Sequence, residues 1–169
     1  MIHGAGRTGR QQMSCDAFTL VEIMIVVTII GILALIAIPQ VMKARTRSQN
    51  TAFINDLRIL SGQVFGFYGL DKGTFPEDVP PSVEPAGIHS LLPKRFDWTK
   101  RTAIGGQWDW DRAGNTSEKV HGCYAGLSVY QPERTELEMR EIDKIVDDGN
   151  LLSGVFRKRT DGYIFILQE

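Results

Sequence analysis

Residues 18–38, FTLVEIMIVVTIIGILALIAI, form an apolar run of twenty-one residues with one charge, Glu22, near its start and Pro39 directly after it. At 1.5 Å per residue a helix of that length reaches about 30 Å, the thickness of a bilayer hydrocarbon core. The run predicts a membrane-spanning helix, and every other feature of the chain has to be read around it. A carboxylate at mid-bilayer costs roughly 2.5 to 3.5 kcal/mol, so Glu22 requires either an interfacial depth or a partner charge. Arg7 and Arg10 precede the run, which favours a cytoplasmic N-terminus and sends the remainder outward. The residues after it, PQVMKARTRSQ, offer no A-x-A-like cleavage site, so on these features alone the run is an uncleaved anchor.

The residues at the start of the run are more specific. Ala17-Phe18-Thr19-Leu20-Val21-Glu22 followed by IMIVVTIIGILALIAIP resembles the N-terminal signature of type IV pilins and type II secretion pseudopilins. The resemblance implies that a prepilin peptidase cuts on the cytoplasmic side between Ala17 and Phe18, that Phe18 becomes the N-methylated first residue, and that Glu22 is the acidic fifth residue. Pro39 matches the proline that kinks the family's helix. Ala17 departs from the family's usual glycine, with Asp16 beside it, but it keeps a small residue at the cut.

Cutting after Ala17 would create an α-ammonium at Phe18, four positions before Glu22 and on the same helix face. Glu22 could pair with it within one chain. In the family the preferred pairing is between neighbouring subunits, which favours docking an incoming subunit in register. The alternative is that Glu22 sits at headgroup depth.

Past Pro39 the chain has no further proline until Pro76, which predicts that the helix continues. Phe53, Leu57, Leu60, Val64 and Phe67 fall at steps of four and three and form one apolar stripe. Lys43, Arg45 and Arg47 lie between the two halves, on a solvated face or against anionic headgroups. Gly62, Gly66 and Gly69 weaken the helix by roughly 1 kcal/mol each relative to alanine, which predicts its end near residues 68–70. DKGTFP then reads as a turn and resembles the one after the long helix in major pseudopilins. Residues 77–93 are proline-rich loop.

In the C-terminal half, strands are predicted at residues 107–111, 124–130, 151–157 and 163–168, with a helix at 133–146 whose apolar face is Met139, Ile142, Ile145 and Val146. Asp147 and Asp148 stop that helix and are weaker candidates as ligands. A sheet this small needs a helix to complete its core, and the stripe from Phe53 to Phe67 can supply it. The expected architecture is α+β and pilin-like: a long kinked N-terminal helix packed on a small antiparallel sheet. Its parts are a leader at residues 1–17, a membrane-spanning and filament-core helix at 18–38, an amphipathic continuation at 39–70 and a head at 71–169.

Charge and reactive residues narrow the function. Nineteen basic and twenty acidic residues leave a net charge of −1 without a polybasic face, so nucleic acid is not an expected partner. Cys15 and Cys123 flank the run, and Cys123 reads as a small buried hydrophobe. His89 and His121 have no nucleophile or ligand at a telling spacing, and Phe156-Arg157-Lys158-Arg159 reads as a solvated turn. No catalytic residues are assigned, and the chain is not read as an enzyme.

The metal candidate is calcium at Asp109, Asp111 and Asn115 in DWDRAGN, where oxygen ligands alternate ahead of a bend at Gly114. The terminal glutamate of an EF-hand loop is missing. Major pseudopilins hold calcium in a loop of the head, but this chain does not match their ligands residue by residue. The competing reading is a hairpin whose Trp108 and Trp110 pack inward while Asp109 and Asp111 face water.

The resemblance implies a structural subunit of a type II secretion pseudopilus. It would sit as a single-pass protein of the bacterial inner membrane with its C-terminal domain in the periplasm. Its partners would be membrane lipid, the prepilin peptidase, an inner-membrane assembly platform, other pseudopilins and further copies of itself in a homo-oligomeric filament. Alternatives are a major or minor type IV pilus subunit and a membrane-anchored periplasmic binding module, for which Glu22 would have no use.

Overall fold

The structure, a computed structural model, describes residues 18–113 and 121–169. Ala17 and Asn115 of the sequence expectations lie outside the described residues. The chain divides into two units, residues 1–43 and 44–169.

In the first unit helix α1, Leu20–Arg58, begins. Thr19 precedes it, and its hydroxyl oxygen accepts the Glu22 amide at 3.2 Å, satisfying one of the donors a helix start leaves over. Pro39 lies inside α1, where it removes the amide that would bond the Leu35 carbonyl. Helix α1 is long and apolar enough to cross a membrane, and its most apolar window has no buried residue.

The second unit holds the core. After Arg58 the helix widens into a π-helical segment, Ile59–Gly66, and then resumes as α2, Phe67–Lys72. The end is set by Gly73, which takes a left-handed φ of 70° and donates its amide to the Gly69 carbonyl at 2.9 Å. Phe53, Leu57, Leu60 and Val64 are buried as the stripe predicts. Phe67 is not: it is 55% exposed, and Phe65 takes the inward place. The π segment explains the exchange, because hydrogen bonds reaching i+5 rather than i+4 put Leu60 and Phe65 on one face.

Four antiparallel strands follow: β1 Gln107–Arg112, β2 Ala125–Tyr130, β3 Phe156–Arg159 and β4 Gly162–Gln168, in the spatial order β1-β2-β4-β3. The fold is α+β and pilin-like, a long apolar N-terminal helix followed by a small four-stranded sheet. The tryptophans of β1 point into the helix: Phe53 stacks on Trp108 with centroids 5.3 Å apart, and Phe65 on Trp110 at 3.8 Å. The Trp110 Nε1 donates to the Pro76 carbonyl at 3.1 Å and so ties down the turn after α2.

Strand β3 starts later than the expected residues 151–157. The backbone bends before it at Gly154, φ 76°, where any Cβ would overlap the Asp147 carboxylate. The strand then runs on to Arg159, which pairs with Gly162 across a two-residue turn.

Helix α3 is Glu136–Val146 rather than 133–146, because Thr135 caps it in a reciprocal box with Glu138. Met139 and Ile142 are buried, whereas Ile145 is exposed.

Candidate functional site

Two places in the described residues concentrate chemistry. The first is the start of α1. From Phe18 to Met42 the large apolar side chains all point outward, between 46% exposed at Val26 and 77% at Leu35. A soluble protein does not leave such a surface to water, so lipid or other protein has to cover it. Glu22 is the one acid in the first turn of this helix, one helical repeat from Phe18. Lys43, Arg45 and Arg47 are exposed where the apolar surface ends.

The second is the back of β1. With Trp108 and Trp110 facing the core, Asp109 and Asp111 fall on the opposite face, but they do not meet water: both are buried. This corrects the expectation of a solvated hairpin. Arg159, also buried, arrives from the end of β3 and donates Nη2 to Asp109 Oδ2 at 2.7 Å, Nη1 to Asp111 Oδ2 at 2.5 Å and Nε to Asp161 Oδ1 at 2.7 Å. Ser128 of β2 donates its hydroxyl to Asp111 Oδ2, and His121 Nε2 lies 3.5 Å from Asp111 Oδ1.

Burial, joined by the charge of Asp111, pushes Asp109 up to about 6 against the pull of Arg159. Burial also raises Asp111, opposed by the Ser128 hydroxyl and by the charges of Arg159 and His121. The positive charge that a calcium ion would bring to Asp109 and Asp111 is here supplied by a guanidinium in fork geometry.

The rest of the expected basic patch is paired as well. Arg157 lies 2.6 Å from Glu169 and Lys158 2.6 Å from Glu136, so the segment is a braced strand end rather than a solvated turn. His89 Nδ1 lies 3.0 Å from Glu84. Cys123 is buried beside Ile164 and Ile166. Sequence reasoning missed the pairing of Arg159 with the β1 aspartates, and its only trace was alternation: a strand reading W-D-W-D must bury one of two unlike faces. It also missed Asp143, hidden one turn before Asp147 on α3.

The outward apolar surface up to Ile38 and the acid in its first turn lie within the stretch that a known family matches. A family described as the prokaryotic N-terminal methylation motif matches residues 12–38. The match is confined to the segment that leads into and forms the apolar half of α1. The chain is similar to type II secretion system core protein G of Pseudomonas aeruginosa, 39% identical over 66 residues, which are 39% of this chain and 46% of that protein. It is also similar to the core protein G of Klebsiella pneumoniae, 36% identical over 35% of this chain and 41% of the relative. Fimbrial protein EcpC of Eikenella corrodens is 46% identical over 36% of this chain and 39% of its own length. The matched part of the chain spans less than half the length of each of these relatives. No solved structure matches it.

Proposed function

We propose that the chain is a structural subunit of a type II secretion pseudopilus. The observation that carries this reading is the fully outward apolar surface of α1 with Glu22 in its first turn. A prepilin peptidase cuts between Ala17 and Phe18 and methylates the new amine, which remains basic. The processed subunit waits in the bacterial inner membrane with residues 71–169 in the periplasm. An assembly platform then draws it into a filament of like subunits and other pseudopilins that serves protein secretion.

The physics of Glu22 gives the filament its register. An unpaired carboxylate in the apolar layer is costly, and the amine made at Phe18 is a counter-charge that every incoming subunit both needs and brings. Pro39 loosens the helix where it leaves that layer. The role is structural rather than catalytic.

A type IV pilus subunit is the second reading, favoured by the similarity to the Eikenella fimbrial protein. Intact-mass analysis of the chain, expressed with a prepilin peptidase and extracted from membranes, tests the processing step. The expected mass lacks residues 1–17 and carries one added methyl group; retention of those residues would overturn the reading. Disruption of the gene then separates the two readings, since loss of exoprotein secretion fits the first and loss of pili the second.

A further inference from the structure

The second unit opens with two arginines that have no counter-charge. Arg45 and Arg47 lie on α1 just after Lys43, and both are exposed. Among the described residues neither guanidinium has a hydrogen-bond or ion-pair partner; the Thr51 hydroxyl reaches the Arg47 carbonyl at 2.9 Å but leaves the guanidinium untouched. By contrast, every arginine from Arg101 onward has a side-chain partner.

The sequence supplies no acid nearby. From Ile23 to Asn55 there is no Asp or Glu, so the acid nearest to either arginine along the chain is Asp56. Two residues apart on a helix, Arg45 and Arg47 point to different sides, so no single neighbouring group can serve both.

Their depth is set by the segment before them. Residues 23–42 carry no charge, and twenty residues of helix rise about 30 Å, the thickness of a hydrocarbon core. Lys43 therefore emerges at the far headgroup layer, and the two arginines follow within four residues of it. That is the outer side of the membrane, where short flanking segments are ordinarily poor in lysine and arginine, so orientation does not account for the three cations. Phosphates occupy the headgroup layer, and the planar guanidinium takes phosphate oxygens in a fork.

We propose that Arg45 and Arg47, with Lys43 ahead of them in the chain, bind the phosphates of anionic phospholipids in the outer leaflet of the membrane that α1 crosses. This rests on the membrane-spanning reading of α1. The contacts fix the depth at which the subunit waits and are given up when it leaves the bilayer for a filament.

The test is native mass spectrometry of the full chain in detergent, supplied with equal amounts of phosphatidylglycerol and phosphatidylcholine of matched acyl chains. The unsubstituted chain should retain phosphatidylglycerol about tenfold better or more. Each cation at an anionic surface contributes about fivefold, so the double variant Arg45→Gln, Arg47→Gln should lower that ratio about tenfold or more. Both side chains are exposed and unbonded, so the variant should keep the Tm of the unsubstituted chain. Equal retention of the two lipids by the unsubstituted chain would overturn the proposal, as would a ratio unchanged in the variant. Displacement of phosphatidylglycerol by millimolar inorganic phosphate would overturn it too, because the site would then take free phosphate. The readout needs neither processing nor assembly, so a negative result leaves the pseudopilus reading standing.

Discussion

The Arg159 guanidinium lies 2.7 Å from Asp109 Oδ2 with both side chains buried, so the last residue of β3 is clamped to β1 across the two strands between them. Taking away one partner of a buried pair leaves an uncompensated charge and typically costs 3 to 5 kcal/mol. Arg159→Leu strands two carboxylates, and we expect a loss of about 4 kcal/mol in chemical denaturation of the full chain in detergent. Arg159→Lys keeps the charge but not the fork, and its loss should be smaller.

The register of the π segment predicts an inversion of the simple helical stripe. Phe65→Ala empties a stacked position against Trp110 and should cost about 3 to 5 kcal/mol. Phe67→Ala, on the exposed side, should stay within about 0.5 kcal/mol. Denaturation midpoints of the two variants give the comparison.

Stability should depend on pH in an unusual sense. Asp109 and Asp143 are both raised to about 6 in the fold, above their ordinary value, so between the two values the folded chain binds more protons than the unfolded one. Stability therefore rises as pH falls from 7 toward about 5. At lower pH the trend reverses. Asp97, held down by the Thr99 and Lys100 hydrogen bonds, and Glu136, held down by Lys158 and Arg140, lose their contribution as they protonate. Asp143→Asn should flatten the slope above pH 5, and melting curves across the range read it directly.

The reciprocal box between Thr135 and Glu138 makes α3 depend on its first residue. Thr135→Ala removes the hydroxyl that accepts the Glu138 amide and should lower stability by about 1 kcal/mol, seen as a matching fall in denaturation midpoint.

The legible parts of the chain are those where one periodicity governs. The apolar run, the stripe through Val64 and the inward tryptophans of β1 each follow from local spacing, and the structure places them accordingly. Phe67 was misjudged because a helix that widens for one segment changes its repeat without marking the sequence, beyond glycines that also fit a helix end. The β1 aspartates were misjudged because alternation separates two faces but does not say what covers the second. Arg159 comes from 48 residues further along, a pairing that only the sheet order reveals. Asp143 was hidden by ordinary helical context, one turn before Asp147, whose carboxylate lies against Gly154.

The central claim is that the apolar face of α1 serves assembly and that Glu22 sets its register. Glu22→Leu tests this most directly, with the variant expressed beside the secretion machinery and fractionated into membranes and sheared filaments. We predict that the variant inserts into the inner membrane at the normal level and is lost from the filament fraction. Incorporation equal to that of the unsubstituted chain would contradict the account and leave the helix as an anchor alone.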